Sequence, residues 1–202
     1  RDRFPQKQLL STPMKREVDR CRQAFTLAQE GCDVALVSSG DAGVYGMAGV
    51  LLEVCGEAGV KVKIIPGITA ACSAAAVLGA PLMHDFAVIS LSDLLTPWPV
   101  IERRLHAAGE ADFVVALYNP SSRKRADYLQ KACNILLSYR PASTPAGWVR
   151  QAGREGEKCR VITLGEMAQE KVDMFTTVII GNSASRIIKG RIVTPRGYRE
   201  LS

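Results

Sequence analysis

The chain has 202 residues, 47% of them hydrophobic and 23% charged, with a formal net charge of +6. That composition suits one large or two small globular domains with real cores and excludes a disordered chain. No apolar run reaches the ~18–20 residues of a membrane span, since the most hydrophobic stretch, 64–83, is broken by Pro66, Gly67, Gly79 and Pro81; nor does an apolar segment follow the basic start, as a signal peptide requires.

In chain order, Thr12 followed by Pro13 is expected to open a helix, with Val18, Cys21, Phe25 and Ala28 on one face and Gly31 ending it. Residues 33–37 read as a short buried strand, and the glycine-rich turn 38–46 leads into a helix over 47–56. Val60, Val62 and Ile64 alternate as a second strand, closed by Pro66 and Gly67, before Thr69 opens an alanine-rich helix running to Leu78. Strand and helix alternate here with short loops, the pattern of a parallel sheet covered on both faces. A strand over 86–90, a helix over 97–108, an apolar strand over 112–118 and a helix over 125–138 follow. The last third changes character: 147–151, 160–164 and 175–180 read as strands without a long helix between them, hence a partly antiparallel sheet. The expected division is an N-terminal α/β domain over 1–83 and a C-terminal α/β domain over 84–202.

Six cysteines, Cys21, Cys32, Cys55, Cys72, Cys133 and Cys159, stand without a C-x-x-C pair. They read as reduced thiols of a cytoplasmic protein, not as a disulfide framework or a zinc site. Charge is divided unevenly, with 11 Lys+Arg against 13 Asp+Glu up to Tyr118 and 15 against 7 beyond it. The positive second half points to an anionic partner: nucleic acid, phosphate or a small polycarboxylate. Arg123, Lys124 and Arg125 form the one dense basic run, and aromatics are not interleaved with it, so nucleic acid is not expected.

Four segments carry candidate chemistry. Gly40, Gly43, Gly46 and Gly49 follow a strand and precede a helix, where positive φ and exposed N–H groups let backbone approach a ligand, and Asp41 offers an acceptor there. The turn matches neither the dinucleotide fingerprint nor the P-loop. Residues 66–70 repeat the strand-to-helix turn, with Thr69 equally readable as a simple N-cap. The third segment is Leu117, Tyr118, Asn119 and Pro120, at the end of an apolar strand. The fourth is the charged hairpin 150–157.

Taken together these segments resemble the tetrapyrrole methylase family. "SSGDAGVYGMAG", "PGITAACSAAAVLGAPLMHDFAVISLSDLLTPW", "LYNPSSRKR", "RQAGREGE" and "DMFTTVIIGNS" occur in that family's order and spacing, from about Leu10 to Tyr198. The resemblance implies an α/β fold of two domains: a parallel-sheet N-terminal domain, a mixed-sheet C-terminal domain, and the active site in a cleft between them. It also implies a homodimer and S-adenosylmethionine as methyl donor. The wording is nearest to members acting at ring carbon 17 of precorrin-3B or its cobalt form, with ring contraction, in cobalamin synthesis. Methylation at another carbon, a ribosomal-RNA methylase and a non-catalytic domain are the alternatives. The family's opening strand and Gly-x-Gly-Pro-Gly loop have no match here, so about one strand and one helix are expected to lie before Arg1.

By the same resemblance, cofactor contacts fall on Gly40, Asp41, Val44, Thr69, Ala70, Leu117, Tyr118, Val149 and Thr177. Thr12 and Met14 match a segment that faces the tetrapyrrole. Arg123, Arg125 and Arg150, with Lys124 and Arg154, are candidates for gripping the substrate's carboxylates, because guanidinium groups bind them bidentately. His84, Asp85 and Asp93 are candidates for proton transfer, although each also reads as a turn former or helix cap. No metal is required, since the donor carries its own leaving group.

Overall fold

The first helix, α1 (Glu17–Gln29), buries Cys21 and Ala24 and places Glu17 and Asp19 in its first turn, where carboxylates complement the helix dipole. The computed structural model describes residues 4–13, 16–57, 59–122 and 125–198. They divide into two compact units, Arg1–Thr69 and Ala70–Ser202. The helix starts later than the Thr12 cap predicts. Arg20, one turn into α1, instead donates from Nε to Thr12 Oγ1 at 2.8 Å and from its terminal nitrogen to the Thr12 carbonyl at 3.2 Å. Thr12 is therefore tied to the side of the helix and does not cap its end. Gly31, at φ +89°, follows the C-cap Glu30 as expected.

The second helix, α2 (Ala48–Cys55), packs on α1, and Arg20 reaches Met47 Sδ at 3.2 Å. The two expected strands of this unit, 33–37 and 60–64, pair with no strand among the described residues. Alternation marks a segment that can pair, but the ladder exists only when a neighbouring backbone supplies partners. Here the two segments border a cavity of about 810 Å³ shared with α1 and α2 and lined by Phe25, Leu36, Met47, Leu51, Val60 and Val62, among others. Val34, Val37, Ile64 and Ile65 stay exposed.

The second unit opens with α3 (Ala70–Leu78) and β1 (Gly79–Ala80) and continues with β2 (Phe86–Ser90), α4 (Trp98–Glu110), β3 (Val114–Tyr118) and α5 (Tyr128–Leu137). Then follow β4 (Pro145–Arg150), β5 (Lys158–Thr163), α6 (Leu164–Met167), β6 (Thr176–Ile180), β7 (Arg186–Ile188) and β8 (Arg191–Val193). The main sheet runs β2-β3-β6-β4-β5, parallel between β2 and β3 and antiparallel elsewhere. This is the mixed sheet the sequence predicts. A small sheet, β1-β8-β7, was not foreseen from sequence.

Strand alternation sorts the core to two faces. Val115 and Leu117 join Ile101, Leu105, Leu129 and Leu136 of α4 and α5 on one face. Val114 and Ala116 meet Ala71, Ala74 and Leu78 of α3 on the other. Small residues bring α3 close, and Gly147 admits it, because a Cβ there would lie 2.7 Å from Leu78 Cδ2. The alanine-rich helix thus belongs to the mixed sheet, and the units part between Thr69 and Ala70, ahead of the boundary after residue 83 that sequence suggests.

Candidate functional site

In the first unit, Asp41 organises the glycine-rich turn. Its Oδ1 accepts from the N–H of Gly43 at 2.7 Å and of Val44 at 3.1 Å, while Oδ2 accepts from the N–H of Gly67 at 2.9 Å. These bonds, that from Gly67 foremost, hold its carboxyl below the usual carboxylate range. Three of roughly four lone-pair positions are thereby in use. The turns 38–46 and 66–69 also meet backbone to backbone, since a Cβ at Gly67 would lie 2.2 Å from the Gly40 carbonyl oxygen, and the first turn is tight within itself, since one at Gly46 would lie 2.3 Å from that of Ala42. Gly40 itself has φ +77°. The structure brings Gly40, Asp41 and Val44 into one cradle with the turn that ends at Thr69, and it shows Asp41 as the brace of that cradle.

In the second unit, the Tyr118 hydroxyl oxygen accepts from the N–H of Ala71 at 2.6 Å, tying the end of β3 to the first turn of α3, next to Ala70. Val149 and Thr177 are register partners, and Leu117 pairs with Val178, which places Tyr118 beside Thr177. Tyr118 and Val149 belong to the α3 side of the sheet. Leu117 differs: its side chain is fully buried in the opposite core, so only its backbone can face a ligand on the α3 side.

The same end of the sheet carries a polar rim. Asn119, at φ +52°, donates from Nδ2 to Ser90 Oγ at 3.0 Å. Asp93 accepts from the Tyr128 hydroxyl at 2.7 Å and from Arg125 at 2.8 Å, while Arg125 also donates to Ser92 Oγ at 2.9 Å and Ser122 Oγ at 3.0 Å. The Tyr128 hydroxyl, against partial desolvation and with help from Arg125, holds the Asp93 carboxyl below its usual range. Asp93 is thus held as an acceptor between two donors. Trp98 lies against Tyr128 with ring centroids 4.4 Å apart, and Lys131 Nζ sits 5.2 Å from the Tyr128 ring centre. Arg150 donates from Nε to Asp173 at 2.7 Å. Desolvation works to raise the Asp173 carboxyl, but Arg150, Thr176 and the N–H of Phe175 together keep it low.

His84 and Asp85 are both exposed, and His84 Nδ1 accepts from the N–H of Asp85 at 2.9 Å. They precede β2, so a strand length of roughly 13 Å separates them from the end that holds Tyr118 and Thr177. The structure does not bring them to that end of the sheet. Met14, Arg123 and Lys124 lie outside the described residues. Asp173 and Tyr128 escaped the sequence reading, because partners 23 and 35 residues away leave no local spacing signal.

Residues 2–168 match the family described as Tetrapyrrole (Corrin/Porphyrin) Methylases. The chain belongs to this family. The methylase is 55% identical over 194 residues to the probable cobalt-factor III C(17)-methyltransferase of Salmonella typhimurium, covering 95% of this chain and 80% of that protein. It is 44% identical over 198 residues to a precorrin-3B C(17)-methyltransferase of Sinorhizobium, covering 93% of this chain and 78% of that one. Among solved structures it matches the methyltransferase CobJ with a TM-score of 0.84 and 38% identity, over 91% of this chain and 79% of that one. The methylase is an S-adenosylmethionine-dependent enzyme by family. None of its helices, among the described residues, is long and apolar enough to cross a membrane.

Proposed function

We propose that this methylase transfers a methyl group to ring carbon 17 of precorrin-3B or its cobalt form, with contraction of the macrocycle, in cobalamin biosynthesis. The observation that carries this reading is the 55% identity along nearly the whole chain to a protein named for carbon-17 methylation of cobalt-factor III. S-adenosylmethionine supplies an electrophilic methyl that needs no metal. The residues present suit it: glycine backbone approaches to a spacing no side chain could tolerate, and a braced turn leaves N–H groups and carbonyls at a helix start.

The protein's tasks are then to hold, align and dry the reacting pair. Gly40, Val44 and Thr69 offer the cradle, and Asp41 keeps its shape. Ala70, Tyr118, Val149 and Thr177 are the cofactor contacts that the family resemblance implies within the second unit, where Leu117 offers only its backbone. Thr12, Arg125 and Arg150 already have protein partners, so their share in substrate binding is through the segments they fix. The reading includes a cytoplasmic homodimer.

Incubation of the full natural chain with precorrin-3B and S-adenosylmethionine, with mass spectrometry and NMR of the product, tests the assignment. A new methyl at carbon 17 in a contracted ring is expected. Methylation at another ring carbon would move the enzyme to a sister branch, and an untouched tetrapyrrole would overturn the corrin reading.

A further inference from the structure

Two loops at one end of the main sheet share a construction that sequence alone does not reveal. After β2, Asp93 is held by Arg125 and Tyr128, and the next two residues, Leu94 and Leu95, are 63% and 93% exposed. Before β6, Asp173 is held by Arg150 and by its own turn, through the N–H of Phe175 at 3.0 Å and the Thr176 hydroxyl at 3.0 Å. The next two residues, Met174 and Phe175, are 48% and 55% exposed. Each loop is thus an aspartate fastened by an arginine, followed by a bare apolar pair.

An exposed Leu-Leu or Met-Phe pair on a slack tip would fold back onto the protein. Here the residue before each pair is pinned by charge-assisted bonds, which keep the pair presented to solvent. Strand order puts β3 between β2 and β6, so the roots of the two loops stand about 10 Å apart, two strand spacings, with Tyr118 between them. Beside the second loop, Gln151 donates its N–H to the Phe175 carbonyl at 3.0 Å, and the β4–β5 hairpin carries exposed Arg154 and Lys158 around Glu155 and Glu157, with neither cation in an ion pair among the described residues.

From this arrangement we infer that Leu94–Leu95 and Met174–Phe175 are two lips that grip the apolar ring system of the tetrapyrrole, while Arg154 and Lys158 receive its carboxylates. Arg125 and Arg150 are positioning residues: they hold the aspartates that aim the lips. The inference rests on the proposed tetrapyrrole substrate and adds the residues that recognise it. An apolar ring with an anionic rim matches apolar pairs flanked by the two cations Arg154 and Lys158.

The test uses Leu95→Ser, Phe175→Ser and Arg154→Gln in the full natural chain. Tetrapyrrole binding is followed by absorbance titration, S-adenosylmethionine binding by calorimetry, and association by sedimentation velocity. Each serine variant is expected to weaken tetrapyrrole binding about tenfold, the scale of burying one large apolar side chain, with unchanged cofactor affinity reporting an intact fold. Tetrapyrrole affinity within twofold of the parent in both serine variants overturns the inference and leaves the proposed function standing. A shift in oligomeric state with substrate binding intact overturns it too, assigning the lips to self-association. A parent protein that binds cofactor and no tetrapyrrole overturns the proposed function and the inference with it.

Discussion

Asp41 and Asp93 are both ionised carboxylates beside candidate binding surfaces, yet they are held in opposite ways. Asp41 takes its three bonds from backbone N–H groups, so its partners are present whatever side chains stand there, provided glycine lets the chains approach. Asp93 is held by the side chains of Arg125 and Tyr128. The first arrangement fixes one shape, as a site for an invariant cofactor requires. The second can be retuned by changing a partner, which suits a surface that must select one tetrapyrrole among similar ones.

The backbone-held turn is most vulnerable at Gly67. A Cβ 2.2 Å from the Gly40 carbonyl oxygen cannot be relieved by a side-chain rotation, so Gly67→Ala must part the two turns. Stability is expected to fall by about 1–3 kcal/mol in urea denaturation, and kcat/KM by about a hundredfold, the scale of an ångström misplacement. Retention of both would show that the turns do not meet as described.

Smaller effects are expected at the two aspartates. In Asp41→Asn an amide NH2 must face N–H donors, and cofactor affinity is expected to drop on the order of tenfold, the cost of an unmatched donor. In Asp93→Asn the amide oxygen can still accept from Tyr128 or Arg125, so cofactor affinity should hold while tetrapyrrole binding weakens a few-fold. Equal effects on both ligands from either variant would erase the distinction.

The smallest expected effect is with pH. The Asp41 carboxyl is held below its ordinary value, so its contribution is complete above the unfolded-state pKa of about 3.9 and fades only as pH falls through the lower folded value. Cofactor affinity should therefore be flat from roughly pH 8 to pH 5 as far as Asp41 is concerned. A titration with a midpoint near 5 that disappears in Asp41→Asn would contradict the backbone bonds.

Much of the second unit was legible because its residues carry their own signals. Phe86–Ser90 matches the expected strand, and the apolar run ending at Tyr118 is β3, buried on both faces as a continuous run must be. What sequence could not show was company. Ala71, Ala74 and Leu78 spell a helix but not which sheet it covers, and Thr12 spells a cap that Arg20 draws elsewhere. In the site, the sequence marks the glycines and Asp41 as a ligand-facing turn, and the structure shows Asp41 accepting from the backbone of Gly43, Val44 and Gly67. For Arg125 and Arg150, candidates for gripping carboxylates, nothing in a linear sequence reveals that Asp93 and Asp173 fold back onto them.

The segments 33–37 and 60–65 turn Leu36, Val60 and Val62 to their cavity, leave Val37 and Ile65 exposed, and have no neighbouring strand among the described residues. Such backbone is adhesive: any extended chain that settles beside it gains a ladder of bonds as well as apolar cover.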